Sequence, residues 1–292
     1  MNGFYRESSI REKFPKVLDI LLLDRTRSTA RASQNIIWAN SNYRSKGKEY
    51  AQTSQIRSSL ITGKRDNVIR SRAFKSKDIQ KVRTKQKAEV FTPTWVIERQ
   101  IDEVSADHRR SDLDSYLKIK WLEVACGEAP YITTRYDMET GDFIEVPERV
   151  GILDRKLTVI NETLSEFLDW QKATELAYKT VYGFEWNGDS LLLARENLLY
   201  TYIENYVSKW QIYPDEKLLE KIAVIISYNI FQMDGLKYII PLSEKKERVY
   251  SEQLSLFNDP EPKRWIIRKG IRVKVMDWEK NKMEFFDKGI GE

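Results

Sequence analysis

The sequence predicts an α/β protein. It should be a sandwich around a mainly parallel sheet, with a basic strand-containing arm before it and a strand pair after it. Three observations carry this. Strand, helix, strand, helix and strand patterns follow one another between about residues 121 and 233, as crossover-connected parallel strands require. Charge divides the chain: residues 1–87 carry 21 Lys/Arg and 7 Asp/Glu, and residues 88–292 carry 28 and 37. Beyond residue 243, short β-prone runs lie on either side of Lys269-Gly270, a turn signal. The expected division is an arm over 1–87, a core over 88–242 and an extension over 243–292.

In the arm, Val17 to Asp24 reads as a buried strand and Asn35 to Ala39 as its partner. Between them Arg25 to Gln34 forms a long polar, basic hairpin tip. Leu60-Ile61 and Val68-Ile69 are the other apolar patches, and residues 70–87 hold eight basic residues. With so little apolar content, the arm is not expected to be a domain of its own.

In the core, Thr92 suits the cap and Pro93 the first position of a helix running to about Val104. Trp121 to Ala125 is a short strand. Thr140-Gly141 and Val146-Pro147 mark a surface excursion over 137–151. A long helix is expected over Asn161 to Thr180, and a strand over Val181 to Glu185. Helices over Asp189 to Val207 and Asp215 to Ser227 precede a strand over Asn229 to Met233. At the end, Trp265 to Arg268 should pair with Val273 to Met276.

Composition removes several classes. The chain has 292 residues, one cysteine (Cys126) and one histidine (His108). That excludes an intrachain disulfide and a zinc cluster, and argues against histidine-based nucleophilic chemistry. No apolar run approaches a membrane span, and no apolar signal segment follows the first residues. The expectation is a soluble, cytoplasmic protein with no membrane partner. Its basic first third points to a nucleic-acid partner. The basic residues expected to face DNA are Arg25, Arg27 and Arg31 in the tip, and Arg70, Arg72, Lys75 and Lys77 beyond it.

Three segments fall at the carboxyl ends of successive strands, where open α/β sheets bind ligands. The first is Leu122-Glu-Val-Ala-Cys-Gly-Glu-Ala-Pro-Tyr131, whose Ala125, Gly127 and Ala129 let a ligand approach the backbone. Glu123 and Glu128 flank it, and two acids would repel phosphate, so a cationic ligand without phosphate fits better. S-adenosylmethionine, with a sulfonium and an ammonium, is such a ligand. The second segment is Tyr182-Gly-Phe-Glu185, with an acid placed for ribose hydroxyls. The third is Asn229-Ile-Phe-Gln-Met-Asp234, with an acid placed for an adenine amine. Cys126 alone reads as a packing residue.

These segments resemble the cofactor-binding half of N6-adenine DNA methyltransferases over about residues 88–240. The matching motifs, in order, are Val90-Phe-Thr-Pro-Thr-Trp-Val96, Glu123-Val-Ala-Cys-Gly127, Gly183-Phe-Glu185 with Ala194-Arg-Glu-Asn-Leu198, and Asn229 to Asp234. More narrowly the chain is similar to short restriction endonuclease subunit M proteins, through Cys126 to Tyr131 and Gln232-Met-Asp-Gly-Leu-Lys237. The resemblance implies a Rossmann-like class I methyltransferase fold. It implies Phe91, Thr92 and Pro93 at the methionine end of the cofactor, and a loop of Glu123, Ala125, Cys126 and Gly127 beside it. Glu185 would hold the ribose, Trp186 would pack on the adenine, Asp234 would bind its amine, and Gly235 and Leu236 would lie beneath it.

The chain departs from that family at the catalytic step. The family's Asn/Asp-Pro-Pro-aromatic tetrad holds the target amine and stacks on the flipped base. Here Lys237-Tyr-Ile-Ile-Pro241 follows the third acid, and the nearest candidate is Asn258-Asp-Pro-Glu-Pro262. No catalytic residue is assigned. The implied function is an adenine-N6 methyltransferase-like protein of a restriction–modification or phage-defence system, binding S-adenosylmethionine and DNA. The alternatives are an inactive subunit, served by a restriction, specificity or catalytic partner, and an inhibitor borne by a phage or mobile element that binds a protein.

Overall fold

The computed structural model describes residues 8–71, 92–106, 112–137, 139–249 and 264–288. It opens with helices α1 (Ser8–Lys13) and α2 (Pro15–Leu22). The expected strand at 17–24 is therefore a helix. Val17, Leu18, Leu21 and Leu22 are fully buried, while Asp19 is exposed. That is one helical face, and Pro15 at the first turn starts it. A nearly continuous apolar run does not distinguish the two periods, which is why the strand reading fails. Asn35 to Ala39 is extended but makes only isolated antiparallel bridges, Leu23 with Asn35 and Ile37 with Gln55. Four short 3-10 turns follow, Arg44–Lys46, Lys48–Tyr50, Ser58–Leu60 and Gly63–Arg65.

Helices α3 (Thr94–Ser105) and α4 (Leu113–Lys118) lead to β1 (Trp121–Glu123). Helix α3 begins one residue later than expected, with Pro93 at the cap position and no side-chain cap from Thr92. The long helix expected at 161–180 is two: α5 (Ile152–Thr163) and α6 (Phe167–Lys179). Between them the backbone at Leu164 and Glu166 is extended. Asn161 supports the corner, accepting from Trp170 Nε1 (2.7 Å) and donating to Asn205 Oδ1 (2.8 Å). Strand β2 (Val181–Glu185), helix α7 (Gly188–Trp210), helix α8 (Glu216–Asn229) and strand β3 (Ile230–Gln232) complete the core close to expectation. Asp215 caps α8 by accepting from Leu218 N (2.8 Å).

The sheet is parallel, in the order β1-β2-β3. Two antiparallel pairs follow: β4 (Lys245–Val249) with β5 (Arg264–Arg268), and β6 (Lys274–Asp277) with β7 (Lys282–Phe285). The expected pairing of 265–268 with 273–276 is thus replaced by two separate hairpin-type pairs. Gly270 is not their turn. A Cβ there would meet Ile239 Cδ1 at 2.5 Å, so its lack of a side chain serves close packing.

The arm shares the core. One buried cluster runs from Ile10 through Trp38 and Ile61 to Ile230. Helix α2 lies against α7 and α8. Three polar clamps fix this first third to α7. Arg11 and Glu196, both buried, pair at 2.7 Å. Asn40 Nδ2 and Tyr43 OH donate to Asp189 at 2.7 and 2.8 Å. Arg195, also buried, donates to Ile230 O (2.7 Å) and Leu23 O (2.9 Å). Among the described residues no helix is long and apolar enough to cross a membrane.

Candidate functional site

The three parallel strands deliver their carboxyl ends to one edge of the sheet, and the backbone stitches the exits together. Cys126 N donates to Phe184 O (2.8 Å), and Met233 N to Glu185 O (3.1 Å). Beyond β1 the chain enters the left-handed region at Ala125 (φ 55°), Gly127 (φ 55°) and Ala129 (φ 63°). For alanine this conformation costs about 1–2 kcal/mol per residue, so the surroundings must hold it. Glu185 Oε2 accepts from Gly127 N (3.0 Å). Glu123 accepts from Tyr131 N (3.3 Å) and Ile132 N (3.2 Å). Asn197 Nδ2 donates to Glu128 O (3.0 Å).

The glycines explain the motifs physically. A Cβ on Gly183 would lie 3.1 Å from Cys126 Cβ and 3.2 Å from its Sγ. Gly183 thus makes room for Cys126, and the two motifs are one packing unit. A Cβ on Gly235 would meet the Phe184 ring at 2.7 Å. Around Gly127, by contrast, a Cβ would meet nothing within 4 Å. That face of the loop is open.

Two carboxyls flank the open face. Glu123 is half-buried, and desolvation of its carboxyl above all pushes it up to about 8, with help from Glu185 and against the two backbone donors. Burial also raises Glu185, opposed by the donors on Asn187 and Gly127. Burial and the two acids hold the Cys126 thiol well above its ordinary value, so it packs and does not react. Desolvated carboxyls favour a cationic ligand, which would restore their charge.

The other expected residues are distributed as follows. Asp234 Oδ1 closes a turn by accepting from Leu236 N (2.9 Å) and Lys237 N (3.2 Å). Leu236 is 92% exposed, so nothing in this structure covers it. Trp186 Nε1 donates to Ala39 O (2.9 Å), which ties the ring to the first third. Thr92 and Pro93 precede α3, which meets the loop through Gln100, the acceptor of the Tyr131 hydroxyl. Phe91 lies outside the described residues, as do Asn258 and Asp259.

Sequence reasoning missed Asn187 and Gln232. Asn187 N and Nδ2 both donate to Glu185 Oε1, at 2.9 and 3.1 Å. Gln232 accepts from Ile37 N (2.9 Å) and donates to Ile37 O and Trp186 O (2.8 Å each), standing in for a further strand. A glutamine inside an otherwise apolar strand was the available signal.

Of the arginines expected to face DNA, two are engaged internally. Arg25 Nε donates to Ser227 Oγ (2.8 Å), and its guanidinium lies 4.4 Å from the Tyr228 ring centre. Arg27 pairs with Asp24 at 2.5 Å and donates to Asn35 O. Arg31 and Arg70 are exposed, and Arg70 Nε donates to Asn67 Oδ1 (2.9 Å). Arg72, Lys75 and Lys77 lie outside the described residues.

Two surface depressions lie away from the strand ends. One, of about 320 Å³, is lined by Lys46, Glu49, Tyr50, Lys64, Arg65 and Val68. The other, of about 360 Å³, is lined by Trp95, Val96, Arg99, Gln100 and Glu103 of α3. Among the described residues no group of His, Cys, Asp and Glu could hold a metal ion. No protein-family model, curated protein or solved structure matches the chain.

Proposed function

We propose that the chain binds S-adenosylmethionine at the strand ends and acts on or alongside DNA as a methyltransferase-like protein. The observation that carries this reading is the open, left-handed loop at Gly127 between two desolvated carboxyls. The residues present suit the group. Gly127 leaves room against the backbone, and Glu123 and Glu185 favour a cation. Among the described residues Glu185 Oε2 accepts a single bond, from Gly127, and so retains acceptor capacity for a ribose hydroxyl. Only Oδ1 of Asp234 is engaged among the described residues. Such a cofactor supplies an electrophilic methyl group; the chain's own residues bind and orient it.

Transfer to adenine N6 needs an acceptor for the target amine and an aromatic for the flipped base. No such tetrad stands in the sequence. A catalytic partner subunit that supplies it is the second reading. One observation favours it: among the described residues β1 is an edge strand of the sheet, so its free backbone edge is a side on which a partner's strand can pair. The test is a methyl-transfer assay on mixed-sequence DNA. The purified chain should bind cofactor yet transfer little or no methyl. Transfer at ordinary enzyme rates, on the order of 1 per second or faster, would end the non-catalytic reading.

A further inference from the structure

The depression at residues 46–68 gathers cations in a concave surface. Lys46 comes from the Arg44–Lys46 turn, and Lys64 and Arg65 from the Gly63–Arg65 turn. All three are exposed. None is ion-paired among the described residues; Arg65 Nη1 only donates to Ser59 O at 3.4 Å. The floor is rigid. Tyr50 is 4% exposed, packs tilted against Trp38 with ring centres 5.2 Å apart, and donates to Leu60 O at 3.1 Å. The turns that carry the cations are held over a packed aromatic floor, so the backbone needs little reorganisation on meeting an anion.

The chemistry selects the kind of anion. The depression carries its own carboxylate, Glu49, and is open to solvent, both of which weaken capture of a single small phosphate. The cations instead continue past it. Residues 44–70 hold seven Lys/Arg against two Asp/Glu, and Arg44, Lys48 and Arg57 are exposed. A repeating polyanion engages such a surface at several points and gains from counterion release. We propose that this depression seats backbone phosphates of duplex DNA, with Lys46, Lys64 and Arg65 as the contacts. The assignment rests on the reading that DNA is the partner, and moves the grip from the 25–34 loop to the 44–65 turns.

The test is fluorescence anisotropy of the full chain with a labelled mixed-sequence duplex of about two helical turns, between about 50 and 200 mM salt. The triple variant Lys46→Ala, Lys64→Ala, Arg65→Ala should bind about 10- to 100-fold more weakly and lose about two to three units of salt slope. A control that removes the same charge elsewhere, Lys172→Ala, Lys217→Ala, Lys282→Ala, should stay within about threefold, because screening isolates distant charges. Equal losses in both triples, or no loss in the first, overturn the assignment. So does tight one-to-one binding of inorganic phosphate or a mononucleotide that the first triple abolishes, since that marks a small-anion pocket. Cofactor titration of the same triple separates the two readings. DNA binding at the turns without cofactor binding refutes the cofactor site alone. Cofactor binding with DNA affinity indifferent to the triple refutes the cleft alone.

Discussion

Glu123 has a measurable signature at the scale of a single residue. Folded, it keeps its proton up to about 8; unfolded, it gives it up near 4.5. Between those values the folded state binds the extra proton, so raising pH favours unfolding. The destabilisation is absent below about pH 4.5, grows through neutrality, and is complete above about pH 8. Thermal unfolding of Glu123→Gln should be flatter over pH 5 to 8.5 than that of the wild type, and the variant should be more stable by about 1–3 kcal/mol at the upper end. An unchanged pH profile would mean that the carboxyl is solvated. None of this was legible in the sequence. Glu123 and Glu185 could be read as strand-end acids, but their burial depends on the loop that folds over them, which local pattern does not encode. Arg25 was misread for a similar reason. Its partners, Ser227 and Tyr228, are some two hundred positions away, and composition alone registers only its charge.

At the scale of elements, β2, α7, α8 and β3 followed from periodicity because each has a clean apolar face or a buried run between turn signals. Helix α2 did not. Its run Val-Leu-Asp-Ile-Leu-Leu-Leu-Asp has one polar interruption, and only packing against α7 and α8 shows which period it obeys. The break between α5 and α6 was hidden because apolar residues continue across it, and the corner is held by Asn161 contacts to Trp170 and Asn205. The clamp between α1 and α7 makes a sharper test. Arg11 and Glu196 are 0% and 1% exposed at the side chain, so Arg11→Ala leaves a buried carboxylate unpaired. That should cost about 3–5 kcal/mol, whereas the paired replacement Arg11→Met with Glu196→Leu should recover most of it. Chemical denaturation of the three variants measures this. If Arg11→Ala costs less than about 1 kcal/mol, the first third is a loosely attached arm after all.

At the scale of the whole molecule, the described residues form three parallel strands with their exits stitched together, a basic first third packed on the central helix, and two β pairs at the end. The charge asymmetry was legible in the sequence, but its structural meaning was not. The basic third contributes to the core, and among its described residues Arg44, Lys46, Lys48, Lys64 and Arg65 lie on the 3-10 turns. The central claim is that the strand ends form a site for S-adenosylmethionine. Calorimetric titration tests it most directly, with the wild type and with Glu185→Gln, which preserves shape while removing the charged acceptor. The wild type should bind one cofactor per chain. Glu185→Gln, still folded, should bind about ten- to a hundredfold more weakly, the cost of losing hydrogen bonds to a charged group. Absence of binding heat for the wild type across temperatures, or unchanged affinity in the folded variant, would contradict it.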